Sequence, residues 1–594
     1  MEYQKYDKRI NAYEKLIGKL DKTVSIFSRI RLIIFLMLIL GGILCFIKKQ
    51  PTLFVINLLI FTVLFCVAVY FHNKYLNKRQ EVLALKEINE INKKRIQGDF
   101  KEFKDLGTEF MKEGHPYESD LDIFGKGSLY QFLVMPMTPK GRERLSRALK
   151  DEEEFDVKYI LKKQEAVKEL SKTTVFRERL HGKSLVYNDK LIGYKKLIDI
   201  ITSPCENLVS FGKVLISVIS GATVVSIILA AFKVIPYFIP EILIILNVII
   251  LQLNKKERLE AFHLVGEQNK SLYAYKEILR LIERRNYSSE LLKETKESLT
   301  KNNKSSYKSM NELYNIAEKL KNRQNGFYII LNMIFLLDYH YYIKLNDWKK
   351  SYSENIEVII ESIALFEELS CYSMLLKDMK GYTIPQFSNN REIDAQNIAH
   401  PLLVNKGISN YITLNNNERM WMITGSNMSG KSTYLRTIGI NLVLAYAGAP
   451  VRSSKFICNK MNIYTCMRTG DDLEKSISSF YAEILKVKRI VSATNNKERV
   501  FFLLDEIFKG TNSKDRHKGA EILINQLINK DTLGLVSTHD LELGDMENEN
   551  SFIRNYNFRE YFENNEINFD YKLRKGVSET QNALYLMKLA GIEI

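Results

Sequence analysis

Residues 420–439 read MWMITGSNMSGKSTYLRTIG, and this stretch decides the fold of the carboxy-terminal part of the chain. Residues 420–423 form a short, wholly apolar run, the pattern of a buried strand. Then comes Gly425-Ser426-Asn427-Met428-Ser429-Gly430-Lys431-Ser432, which fits G-x-x-x-x-G-K-[ST], and a good helix-forming sequence begins at Thr433. A phosphate chain is held by convergent backbone N–H groups, so the loop needs glycines that let it fold back on itself. On this reading residues 425–433 bind the phosphates of ATP. Lys431 reaches the β- and γ-phosphates, Ser432 holds Mg²⁺, and the start of the helix adds a favourable dipole.

A partner motif lies about 70 residues further on. Residues 499–504 (RVFFLL) make an apolar strand that ends in Asp505-Glu506. Asp505 is expected to take the Mg²⁺ through water and Glu506 to orient the attacking water. That division needs adjacent carboxylates at the carboxyl end of a strand, where open α/β sheets put their ligands. A third strand, residues 532–536, ends in Ser537-Thr538-His539, which puts His539 near the γ-phosphate as a sensor or polarising group.

The texture changes near Pro385. After it, short β-type runs, Gly-containing turns and helices alternate, as in an α/β domain with a largely parallel sheet. Before it, residues 75–112 read as one charged amphipathic helix, and 100–205 and 254–380 are rich in Leu, Ile, Glu and Lys. A long-helix pattern runs from Lys255 to about Arg323. The expected fold class is therefore a carboxy-terminal α/β P-loop domain of the ABC type behind an all-α core, interrupted by two apolar hairpins.

Those hairpins are hidden in a mean hydropathy typical of soluble chains. The first block is residues 32–47 and 53–71, parted by Lys48-Lys49-Gln50-Pro51. Neither half holds a charge, and the second is long enough for a hydrocarbon core of ~30 Å. A signal peptide fits poorly with the charged lead of residues 1–31 and the absent small-residue cleavage site. The second block is 214–232 and 234–253, where Pro236, Pro240 and Glu241 leave only 242–253 uninterrupted. It reads either as a buried core helix or, the preferred reading, as a second hairpin with Glu241 near the interface. Arg29, Arg31, Lys74, Lys78, Arg79, Lys255, Lys256 and Arg258 flank the outer ends, and the turns carry only Lys48, Lys49 and Lys233. By the positive-inside rule the protein is a multi-pass cell-membrane protein of four spans, with both termini and the ATPase domain cytoplasmic. The expected divisions are 1–31, 32–71, 72–208, 209–253, 254–384 and 385–594.

Composition bounds the rest. In 594 residues, 46% are hydrophobic and 11% aromatic, which excludes a disordered or fibrous chain. Six cysteines without a C-x-x-C pair argue against a disulfide scaffold or a structural zinc site. The net charge of +16 suggests an anionic partner, for which nucleic acid and lipid headgroups fit equally.

The string TGSNMSGKSTYLRTIGINLVLAYAGAPV resembles the MutS family of DNA mismatch-repair ATPases, as do LLDEIFKGTNSKD (503–515) and STHD (537–540). Ser478-Ser479-Phe480-Tyr481-Ala482-Glu483 is similar to the family's S-T-F-x-x-E signature. The resemblance implies that Ser478, Ser479 and Glu483 meet the ATP of the opposite subunit, hence a homodimer with two composite sites. Weaker likenesses at Gly127-Ser128-Leu129, Gln164-Glu165-Ala166-Val167, Phe366-Glu367-Glu368-Leu369-Ser370 and His400-Pro401-Leu402-Leu403 carry it upstream. The string HPYESDLDIFGKGSLYQFL (115–133) has the look of a membrane-anchored MutS-like branch. Where mismatch-reading members carry an α/β domain with a Phe-x-Glu wedge, residues 1–100 are a hairpin and its flanks. Phe-x-Glu occurs four times here, too loosely to inform.

Two functions follow. One is a membrane-anchored, ATP-switched MutS-like dimer that binds DNA, with mismatch reading unsupported and no DNA-contacting residue assignable. The alternative is a membrane remodelling or transport-coupled ATPase acting on lipid or protein. Polar residues facing one another within the spans would mark it, with Asn57, Asn247 and Glu241 as candidates.

Overall fold

The computed structural model describes residues 3–187, 198, 210–300, 305–321, 323, 326–352, 355–468, 479–509, 512–530, 532–563 and 566–578. Helix α1 (Gln4–Ile47) and α2 (Pro51–Gln97) lie side by side as an antiparallel hairpin, with Pro51 at the first turn of α2, where its missing N–H costs nothing. Both helices run through the expected borders at 31/32 and 71/72. Their polar halves are zipped by Arg79–Asp21, Lys86–Glu14 and Lys93–Asp7 ion pairs. The start of α1 is seated on the helical core, where Tyr6 is fully buried and the partly exposed Lys5 pairs with buried Asp378 at 2.7 Å.

The helix expected over 75–112 ends at Gln97. Gly98 takes the left-handed conformation (φ 94°) as its cap, and two short 3₁₀ turns follow at Asp99–Glu102 and Thr108–Phe110. Five further helices build the first part of the core and enter the second apolar block: α3 (Leu129–Leu133), α4 (Pro139–Leu149), α5 (Val157–Ser171), α6 (Thr174–Tyr187) and α7 (Ser210–Ala231). Next comes α8 (Phe238–Gln252), only 15 residues long because Pro236 and Pro240 confine its start. The expected long helix from Lys255 is broken into α9 (Lys255–Glu267), α10 (Asn269–Glu283), α11 (Glu290–Leu299) and α12 (Ser306–Lys321). Then follow α13 (Gly326–Phe335), α14 (Leu337–Tyr352) and the central α15 (Ile356–Asp378), which is buried almost all round and packs on α4 and α5.

Among the described residues, three helices, Gln4–Ile47, Pro51–Gln97 and Gly212–Ala231, are long and apolar enough to cross a membrane. The fourth expected span reaches that standard only if α8 and α9, bent by 73°, count together.

The carboxy-terminal part is an α/β domain with mixed sheets. Its strands are β1 (Tyr382–Thr383), β2 (Gln386–Phe387), β3 (Ile393–Ile398), β4 (Asn410–Leu414), β5 (Met420–Thr424), β6 (Val451–Arg452), β7 (Lys455–Cys458), β8 (Asn462–Cys466), β9 (Val500–Asp505), β10 (Thr532–Ser537), β11 (Ile553–Glu563) and β12 (Glu566–Lys575). Six of them form the main sheet in the order β12-β11-β5-β10-β9-β8, parallel except for β12. Strand β5 and all of β10 are buried, and β9 is buried up to Leu504, as strands covered on both faces must be. Helices α16 (Lys431–Tyr446), α17 (Ser479–Asn495) and α18 (Ser513–Ile528) pack on this sheet. A second sheet, β2-β7-β3-β4, flanks it.

Candidate active site

The parallel order brings the three sequence motifs to one end of the sheet. On β10, Ser537 is in register with Ile423 of β5 on one side and Asp505 of β9 on the other. The loops that leave these strands therefore meet: residues 425–430 after β5, Asp505-Glu506 after β9 and Thr538-His539 after β10.

Gly425 and Gly430 make the first loop possible. They sit at φ 144° and 105°, and a side-chain carbon at Gly425 would come 2.8 Å from the Phe558 carbonyl oxygen. The loop ends as the cap of α16. Lys431 is buried there, and its ammonium donates to Gly425 O at 2.8 Å and Ser426 O at 2.9 Å. Burial lowers its pKa, opposed by the Glu506 and Asp505 carboxylates. Ser432 is half-buried and Thr433 exposed on the first turn of α16; Met428 is exposed at the loop tip.

Asp505 accepts a short hydrogen bond from the Ser537 hydroxyl through one of its oxygens. The other remains as a hard oxygen donor. Glu506 has left-handed backbone (φ 49°), as does Phe508 (φ 64°), a local strain of order 1–3 kcal/mol per residue that surrounding contacts must hold. They do so through Glu506 N–H to Ser537 O at 2.9 Å and Phe508 N–H to Glu483 Oε1 at 2.8 Å. The Glu506 carboxylate lies 2.5 Å from His539 Nε2 and 2.5 Å from the Lys509 ammonium. Burial raises its pKa, but these two partners outweigh it and hold the group at about 2. His539 Nε2 also lies 2.7 Å from Asn427 Oδ1. Two acceptors at that nitrogen require it to carry the proton, so the 3.4 Å approach of the Lys431 ammonium is not a hydrogen bond.

A cavity of about 420 Å³ opens beside the loop, within the ordinary range for small-molecule sites. Residues 427–434 and Glu506 form one wall. The other comprises His400, Ile408 and Asn410 from β3 to β4, with Tyr571 of β12 and Phe558 of β11. His400 is buried, and burial pushes its pKa down to about 4, so the wall is neutral there. Ser426 is fixed from the same hairpin by a 2.7 Å bond to Glu560. Sequence reasoning gave no site role to Phe558, Glu560 and Tyr571, which lie over 120 residues past the loop; Phe558 and Glu560 belong to one of the four uninformative Phe-x-Glu matches, and Tyr571 matches no motif. His400 had a signal, since its His-Pro-Leu-Leu string stood out without a role.

The structure does not bring the whole subunit-bridging trio together. Ser478 lies outside the described residues, and Ser479 is the first residue of α17. Glu483 is buried within its own chain, where its carboxylate accepts from the Phe508 N–H.

Residues 421–593 match the family model MutS domain V. The DNA mismatch repair protein MutS of Geobacillus sp. (strain WCH70) is 30% identical over 264 residues, covering 43% of this chain and 30% of that protein. Its namesake from Thermotoga maritima is 31% identical over 242 residues, 40% of this chain and 30% of that one. The Bacillus subtilis protein of that name is 28% identical over 285 residues, 46% and 32%. The chain thus spans about a third of the length of the curated relatives it matches.

Proposed function

We propose, from the premise that the carboxy-terminal part of this chain is a MutS-family domain, that the protein is a membrane-anchored, Mg²⁺-dependent ATPase working as a homodimer on DNA. The observation that carries the reading is the convergence of Lys431, Asp505, Glu506 and His539 on the loop 425–430. Backbone N–H groups of that loop, with residues Ser426 to Thr433, would cradle the triphosphate. Lys431 would exchange its two carbonyl partners for β- and γ-phosphate oxygens. Ser432 and the free oxygen of Asp505 are hard donors of the kind Mg²⁺ takes, and the ion when bound neutralises phosphate charge. Glu506 would orient the attacking water and His539 would polarise the γ-phosphate. A carboxylate held at about 2 is a weak base, so catalysis requires that Lys509 or His539 first release it.

The exposed apolar faces of α1, α2, α7 and α8 support anchoring in a bilayer, and the basic residues at the outer ends of the hairpins support a cytoplasmic side for the termini and ATPase domain. The basic balance and the relatives' repair role support DNA as the partner. Of the polar candidates within the spans, only Asn247 meets another polar side chain, Thr223 of α7, and Glu241 is exposed, which is little support for the transport alternative. Asn57 packs against Gly41, and Asn247 serves a neighbouring helix.

The test is the ATPase rate of the detergent-solubilised chain with and without homo- and heteroduplex DNA, against Lys431→Ala. Turnover no higher than that variant's defeats the enzyme reading. Turnover that ignores DNA, with no salt-dependent DNA binding, defeats only the DNA arm.

A further inference from the structure

Helix α13 has the sequence GFYIILNMIF, with no charge in ten residues. Ile329, Ile330, Leu331 and Phe335 on its outer side are 39–58% exposed, a contiguous apolar face that water does not suit. At ~1.5 Å per residue it is about 15 Å long, half a hydrocarbon core, too short to span. It lies against both α7 and α8, whose own outer faces are apolar and exposed.

The contact with α8 is specific. Asn247 is fully buried in a helix otherwise made of Ile, Leu and Val at that level. Its amide nitrogen donates to Met333 O at 2.9 Å, Ile334 O at 3.3 Å and Thr223 Oγ1 of α7 at 3.1 Å. The last carbonyls of a helix have no donor of their own, and in a hydrocarbon setting they must be met by protein. Asn247 precedes Leu253, at the end of α8, by six residues, so it meets these carbonyls about 9 Å inside the mouth of the hairpin.

Both ends of the dip are fastened. Leu336 reverses the chain at φ 50°, fully buried beside Ile216 of α7. Asn332 Oδ1 accepts from Asp338 N–H at 2.8 Å across that reversal. Asp338 also receives Arg323 and Tyr328, each at 2.7 Å, which returns the start of α13 to the polar side. Tyr339 donates to Ile250 O and Leu253 O at the mouth of α8, and the polar α14 leads away.

We propose that α13 is a re-entrant membrane helix, entering the cytoplasmic leaflet beside α7 and α8 with its outer face on lipid acyl chains. This rests on reading α7 and α8 as a membrane hairpin, with which the apolar face of α13 is continuous.

The test uses the full chain in phosphatidylcholine–phosphatidylglycerol vesicles, native cysteines replaced, with one cysteine carrying an environment-sensitive fluorophore. Probes at Ile330 on α13 and Ile245 on α8 are expected to lose intensity to lipids bearing a spin label in the acyl chain, and one at Lys344 on α14 is not. Quenching at Ile245 but not at Ile330 overturns the proposal and leaves the hairpin standing. Quenching at neither overturns both. A probe at Ile330 shielded from spin-labelled lipid and from aqueous iodide alike means that protein covers the face, which also overturns it. Asn247→Leu is expected to weaken quenching at Ile330 and leave Ile245 unchanged; equal quenching at Ile330 would refute the hook.

Discussion

The carboxylate of Asp120 lies 2.9 Å from the ammonium of Lys486, joining the segment ahead of the helical core to α17. The same buried carboxylate accepts from Thr465 Oγ1 at 2.8 Å, Met467 N–H at 3.0 Å and Arg468 N–H at 3.2 Å. Neighbouring Asp122 holds the Arg468 side chain at 2.5 Å. One aspartate thus ties the end of β8 and the helix after residues 469–478 to the string at 115–133.

Asp120→Ala leaves a partly buried ammonium and two backbone donors without their acceptor. Breaking such a site costs about 3 kcal/mol. The urea midpoint of the full chain in detergent is expected to fall accordingly, and an unchanged midpoint would show that the clasp is idle.

Glu506→Gln is expected to bind ATP normally and to turn over at least ~100-fold more slowly, the scale for losing a general base. Single-turnover measurement separates this from slow product release. Normal turnover would mean that another group positions the water.

Glu367, fully buried on α15, is pushed up to about 7 by burial, against hydrogen bonds from Thr138 and Ser184. In the unfolded chain it titrates near 4.5. Between those values the folded state holds one proton more, so this group's contribution to stability declines as pH rises from about 4.5 to 7 and is flat above. The difference in melting temperature, Glu367→Gln minus wild type, should grow across that window. Contributions of His181 and His400, common to both proteins, cancel. A difference independent of pH would place the carboxyl in the ordinary range.

Single cysteines at Gln50 or Lys233, with native cysteines replaced, should react with an impermeant thiol reagent outside intact cells, and one at Lys78 should not. Labelling at Lys78 alone would invert the topology.

Mixing Lys431→Ala with Ser478→Arg chains tests the shared site. Each homodimer should be inactive, and the mixed dimer should recover up to about one site's activity. Mixed dimers that form and stay inactive would refute either the assignment across subunits or the independence of the two sites.

The site was legible wherever a run of sequence carries both strand and chemistry. Residues 420–433, 499–506 and 532–539 each hold an apolar strand and its polar tip, and parallel pairing brings the tips together. Tyr571 and Glu560 were not legible, because a hairpin far along the chain supplies them through tertiary contact alone. Glu483 is the converse case: local resemblance marks its neighbourhood, and only the fold shows its carboxylate meeting the Phe508 N–H. In the helical part, α13 carries no signal of a span because ten uncharged residues fall well below the length that marks one. The end of α2 at Gln97 depends on Gly98, one residue in an otherwise helical pattern.

Helix α1 runs without a break from Tyr6, clamped in the core, to Ile47 at the far tip of the first hairpin. A rod of 44 residues is about 66 Å long. No joint interrupts it between its charged and its apolar half, so on the proposed anchoring the bilayer and the core share one stiff strut. A swing of about 5° at the Tyr6 end carries Ile47 sideways by roughly 6 Å, close to the width of a lipid, at the ~1.5 Å rise of an unbent helix. Any rearrangement that shifts the Lys5–Asp378 seat is therefore amplified at the Ile47 tip, which on the proposed anchoring lies at the opposite leaflet.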